Sequence, residues 1–152
     1  VWGRLGRHDP CDLDDGRLVM CKEGLSPSLK DVFLVYLLAH NRPMVELLNP
    51  VMQDIEPAYT AEFSGMVAEP VDLDALLETR ARLIHDINTA LTDADKRFLL
   101  SVKQGEVDWA GFVYPAAANL PAVRWKLHNL ARMEEHKRQM SADKLEAFLF
   151  GE

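Results

Sequence analysis

Residues 26–43, SPSLKDVFLVYLLAHNRP, predict a buried helix at the centre of the fold. Ser26 suits the N-cap, because its hydroxyl can accept from an unpaired amide of the first turn. Pro27 suits the first helical position, where no amide donor is needed. Leu29, Val32, Phe33 and Tyr36 recur at helical spacing on one face, and Val35, Leu38 and Ala39 cover much of the remainder. A helix apolar nearly all round must be surrounded by other elements. Asn41 and Pro43 end it.

The rest of the chain supplies those elements. With 152 residues, 48% hydrophobic and 27% charged, it has the composition of one globular domain with a real core. A net charge of -7 argues against bulk attraction to nucleic acid and leaves room only for a local basic patch. Two cysteines, Cys11 and Cys21, make no disulfide framework, so a reducing cytoplasmic setting is expected. The apolar run 32–39 is too short to span a bilayer. The first residue is Val and no signal-peptide pattern is present, which suggests a piece of something longer.

Upstream of the central stretch, Asp12 can cap a helix from Leu13 to about Glu23 that Gly24 ends. Downstream, Met44–Leu48 forms a helical turn. Asn49 with Pro50 predicts a helix carrying Val51, Met52 and Ile55 and reaching Phe63, with Pro57 kinking it. Gly65 closes that segment and 66–71 is a linker. Residues 72–91 carry the clearest stripe, namely Leu73, Leu76, Leu77, Leu83, Ile84, Ile87 and Leu91, behind an Asp72 cap. Arg80 lies inside that stripe. Either its stem packs while its head reaches the edge, or its guanidinium meets a buried carboxylate or a phosphate. His85 falls on the polar side.

Thr92 and Asp95 resemble a capping box, and Phe98, Leu99, Leu100 and Val102 follow before Gly105. The short link predicts that this helix packs nearly antiparallel on the preceding one. Trp109, Phe112, Val113 and Tyr114 are expected to lie across the bundle and seal one end, the alternative being an exposed patch that binds a partner. Pro121 opens a helix through Met133 with Val123, Leu127, Leu130 and Ala131 facing inward. Its other side gathers Arg124, Trp125, His128, Asn129 and Arg132. These side chains can stack on a base and hold a phosphate, or they can anchor the helix on the 109–114 loop. The expectation is packing, so that Trp125→Ala lowers stability by a few kcal/mol. Ser141 is expected to cap a last helix carrying Leu145, Phe148 and Leu149. The whole reads as a single all-α domain over residues 1–152, an irregular bundle of about six or seven helices.

The densest set of oxygen donors is the run 4–15, RLGRHDPCDLDD. As residue types these suit magnesium where a phosphate adds ligands, or simply a solvated loop with a capping Asp. The segment RHDPCDLDD resembles the Arg-x-x-Pro-Arg-Asp-Leu-(aromatic)-Asp motif of the AbiEii-type nucleotidyltransferase toxins. Arg7, Pro10, Asp12, Leu13 and Asp15 match it, while Cys11 stands for the family's Arg and Asp14 for its aromatic or aliphatic residue. The family's Lys would fall just before Val1, and its earlier Gly-Ser strand-turn motif and the magnesium-binding Asp-x-Asp of that earlier region are absent. The segments KDVFLVYLLAHNRP, NPVMQDI, LTDADKRFLLSVKQGEVDW and LPAVRWKLHNLARM resemble the C-terminal helical region of one bacterial branch of the family.

That resemblance implies the helical lobe of a two-lobed toxin of a toxin–antitoxin system. The complete enzyme would move a nucleotide from an NTP to a tRNA or a protein hydroxyl. Mg2+ and the NTP are implied only for that enzyme, whose other lobe supplies the metal-binding pair. Asp15 is the first candidate for a catalytic carboxylate and Asp12 the second. Arg7, Arg80, Arg124, Trp125 and Arg132 are candidates for nucleotide or acceptor binding, and no metal ligands are assigned. The partners implied are the nucleotidyltransferase lobe, an antitoxin and tRNA, but no membrane. The isolated chain is expected to be inactive. The alternative is a non-enzymatic helical module that binds an antitoxin or another partner chain, which the departures at Cys11 and Asp14 favour.

Overall fold

Ser26 starts the central helix as its hydroxyl chemistry requires. Its Oγ accepts from the amide of Leu29 at 3.2 Å, and α1 runs over Pro27–Ala39. The computed structural model describes Asp14, residues 25–63 and residues 71–151, with backbone alone at 62 and 63. Among these residues every regular element is helical. No helix among them is long and apolar enough to cross a membrane.

The buried side of α1 is set by Phe33, Leu34, Leu37 and Leu38, whereas Val32 is 49% exposed. The predicted face was therefore rotated. In an unbroken apolar run no polar residue marks the phase, and only the neighbouring helices decide which side is covered.

After α1, Met44–Leu48 forms α2. The helix expected from Pro50 does not form. Residues 50–55 are irregular, Val51 and Met52 are exposed, and Ile55 alone of the expected set is buried. The Asp54 carboxylate accepts from the Glu56 amide at 3.0 Å and starts the short α3, Glu56–Ala58, which winds into a π turn over Tyr59–Phe63. Pro57 thus sits in a first turn, where its missing donor costs nothing, instead of kinking a helix.

Helix α4 spans Leu73–Ala90 and α5 spans Asp93–Gln104. Asp72 takes the N-cap backbone conformation, but its side chain makes no capping bond. Thr92 and Asp95 do complete a reciprocal capping box, and Gly105 closes α5 at φ 89°, a left-handed conformation that a side chain would strain. The predicted hairpin is not the main packing. Leu91 and Thr92 are both extended, so the chain turns away, α4 packs on α1 and α2, and α5 packs on the last helix.

Two 3-10 turns, Trp109–Gly111 and Pro115–Asn119, lead to α6, Pro121–Ala131. Helix α7 then runs unbroken over Glu135–Phe150. Ser141 is therefore in mid-helix and caps nothing. Phe98 and Phe112 stack with centroids 4.2 Å apart, and Trp109 meets both rings edge-on. Only this part of the loop seals the bundle, since Val113 and Tyr114 remain exposed. Leu34, Leu37, Met44, Leu99 and Leu145, each 0% exposed, form the centre of one core to which α1, α2, α5 and α7 contribute. A smaller cluster of Ile55, Val71 and Leu76 lies beside it.

Candidate functional site

The face of α6 opposite Val123 and Leu130 carries the candidate binding residues. Proline at its first position and a one-turn periodicity in Val123, Leu127 and Leu130 fix which side enters the core. Arg124, His128 and Arg132 then follow at intervals of four residues on the solvent side, with Trp125 beside them. Ala131, expected to face inward, is exposed.

Trp125 is 65% exposed, so the expected packing on the 109–114 loop does not exist. The ring that packs there is Trp109. Trp125 instead stacks on His128, with centroids 6.2 Å apart and planes 25° from parallel. Sequence periodicity could not separate these two indoles, because burial of a half-amphipathic ring depends on what arrives from elsewhere in the chain.

Arg80 makes a backbone contact. It is buried on α4, and its Nη1 donates to the carbonyl of Gln53 at 2.9 Å. Burial lowers its pKa. It thus ties the irregular 50–55 segment to α4. Arg7, Asp12 and Asp15 lie outside the described residues.

A set of groups that the sequence reading passed over is more densely organised. Lys126 projects from α6 towards the end of α1. Its Nζ donates to the carbonyls of Leu37 at 2.7 Å, His40 at 2.8 Å and Arg42 at 3.3 Å. Burial and the nearby Lys103 ammonium push its pKa down to about 8. His40, which ends α1, is held below its ordinary value by burial and by Lys126 and Arg42. Lys103, on α5, is 5% exposed and donates to the Ser141 hydroxyl at 2.8 Å. Burial lowers its pKa as well.

Two clefts share Lys103 and Ser141 in their walls. One, of about 250 Å³, runs past Arg42, Lys126 and Asn129 to Trp125. The other, of about 460 Å³, lies under Lys137 and Lys144. Among the described residues five cations line the two, and Glu46 is the only carboxylate that does. On a chain of net charge -7 this is a local basic surface. The signal for it in the sequence is slight: Lys103 ends an amphipathic helix, and its burial follows only from α7 crossing over it.

Compared with family models, curated proteins and solved structures, the chain matches none of them.

Proposed function

We propose that this helical domain serves an AbiEii-type nucleotidyltransferase, presenting the nucleic-acid acceptor to a separate catalytic lobe. The observation that carries the reading is the exposed Trp125–His128 stack between Arg124 and Arg132, at the mouth of a basic cleft on an otherwise acidic chain. An exposed indole offers a base a stacking platform, and guanidinium groups on either side hold the phosphates. The resemblance of 7–15 to the family's motif adds Asp15, and after it Asp12, as carboxylates that position nucleotide and acceptor. Arg7 belongs with them. In the complete enzyme Mg2+ and an NTP are held by the partner lobe, with an antitoxin as the controlling partner, all in the cytoplasm. The 152 residues alone do not transfer nucleotides, because on this reading the metal-binding pair that fixes the triphosphate in line with its acceptor belongs to the partner lobe.

The test is incorporation of labelled NTP into tRNA with magnesium. It compares the chain alone, the chain extended upstream through the family's Lys and catalytic motifs, and the extended chain carrying Asp15→Ala. Incorporation by the extended chain only, abolished by Asp15→Ala with the helical signal intact, is the expected result. Turnover by the isolated chain, or none by the extended one, overturns it.

A second reading, a non-enzymatic module docking a partner chain, draws on the exposure of Val51 (86%) and Met52 (47%) in the irregular segment. An upstream reading frame without Gly-Ser and Asp-x-Asp on strands would favour it.

A further inference from the structure

A buried ammonium ordinarily finds a carboxylate or a full set of carbonyls, because desolvating the charge costs far more than any one neutral hydrogen bond returns. Lys126 follows that rule, with three donors on three carbonyls. Lys103 does not. Its Nζ has three protons to donate and meets one acceptor, the Ser141 hydroxyl. Among the described residues Lys103 makes no ion pair. Its neighbour in charge is another cation, since Lys103 and Lys126 repel each other. The ammonium therefore lies against a cleft of about 460 Å³ with donors to spare.

The opposite wall has matching chemistry. Lys137, Ser141 and Lys144 are spaced i, i+4 and i+7 on α7, which puts all three on one face, and all three line the cleft with Lys103. Lys137 touches Glu134 at 3.4 Å, an exposed pair one turn away and weak enough to exchange. Glu46 on α2 is exposed at the cleft edge.

We propose that this cleft is a binding site for a phosphoryl group of a small ligand. The phosphate oxygens would accept from Lys103 Nζ and the Ser141 hydroxyl, under Lys137 and Lys144. A tetrahedral dianion has the several acceptor oxygens that point donors of this kind need, and its charge is what the buried ammonium lacks. Lys103 and Ser141 also line the cleft that reaches Trp125, whereas Lys137 and Lys144 line this one alone. The site rests on the cleft and not on the transferase reading, so nucleotidyl transfer can fail while phosphate binding holds.

The test titrates inorganic pyrophosphate, and separately ATP, into the full chain by calorimetry at pH 7 and low salt, with sodium chloride as the control. Saturable one-to-one binding of pyrophosphate is expected. Lys103→Met, which keeps the stem, should weaken it at least about tenfold, the loss of one strong charged contact. Lys137→Ala with Lys144→Ala should weaken it several-fold, and Arg82→Ala on α4 should leave it unchanged. Equal dependence of ATP on Lys103 names a nucleotide's phosphate chain as the source, while pyrophosphate binding alone names a small diphosphate. Should Lys103→Met not fold, Ser141→Ala and an NMR titration of the Lys103 ε-methylene replace it. Bound pyrophosphate must then raise the Lys103 pKa. Absence of saturable binding overturns the proposal, as does binding that Lys103→Met retains in full. So does a Lys103 pKa unmoved by saturating pyrophosphate.

Discussion

Lys126 Nζ on α6 lies 2.7 Å from the carbonyl oxygen of Leu37, in the last turn of α1. Carbonyls at a helix C-terminus have no intrahelical donor, and here a cation from 89 residues further along the chain supplies one. The same ammonium reaches the His40 and Arg42 carbonyls, so a single side chain closes the turn between α1 and α2.

Lys126→Met is expected to lower stability by about 2 kcal/mol at pH 7, since the stem still packs but three carbonyls lose a charged donor. Urea denaturation of both proteins measures it. A variant as stable as its parent would show that those carbonyls have other donors.

The same lysine makes stability depend on alkaline pH. Its folded pKa of about 8 lies below the unfolded value of 10.5, so between those values the unfolded chain binds the extra proton. Stability therefore rises as pH increases from about 8 towards 10.5, by at most about 3 kcal/mol, less what the three carbonyls return to the charged form. The gap between parent and Lys126→Met should widen from pH 7 to pH 9.5. A gap that narrows would mean that the carbonyls outweigh burial.

Asp95 has the opposite sign and the opposite pH range. Burial would raise its pKa, but Lys30 at 2.7 Å and the Thr92 amide and hydroxyl at 3.0 and 2.8 Å outweigh that and lower it. Its contribution is present above the unfolded value of 3.8 and is lost as pH falls through the lower folded one. Asp95→Ala removes a cap and a half-buried ion pair at once, and about 1–2 kcal/mol is expected at pH 6. The deficit should hold down to about pH 4 and shrink below it. Acid denaturation curves that stay parallel would contradict this.

Helices with a polar side to mark their phase were legible in the sequence. The stripe of α4 lands as read at Leu76, Leu83, Ile87 and Leu91, and the α5 cap forms between Thr92 and Asp95. Legibility failed wherever a distant element decided the outcome. Nothing local distinguishes Ser141 as a cap from Ser141 as an acceptor for Lys103, 38 residues away. Nothing local shows that Lys126 will be drawn inward while Arg124 and Trp125 beside it stay in solvent. Local signals also misled at Pro50, where a good first residue precedes a segment that buries Ile55 but leaves Val51 and Met52 in solvent. The basic clefts are made of such long-range placements, which is why the sequence pointed to Trp125 and Arg124 and passed over Lys103 and Lys126.

Two aromatic truncations separate the structural ring from the surface ring. Phe112 is 5% exposed and stacks on Phe98 at 4.2 Å, so Phe112→Ala should cost about 3–5 kcal/mol through lost transfer energy and the cavity left behind. Trp125 is 65% exposed and stacks only on His128, and Trp125→Ala should change stability by less than about 1 kcal/mol. That replaces the sequence-based expectation of a few kcal/mol. If the α6 face meets single-stranded RNA, the same variant should lose about 1–3 kcal/mol of binding, the contribution of one stacked base. Binding by the parent should also weaken steeply with salt, because Arg124 and Arg132 replace counterions on the phosphates. Thermal melts together with a salt series of fluorescence titrations, using a short oligoribonucleotide, read all of these at once. A large fall in melting temperature for Trp125→Ala, with RNA affinity unchanged, would return the indole to a structural role and remove the stacking platform from the proposed function.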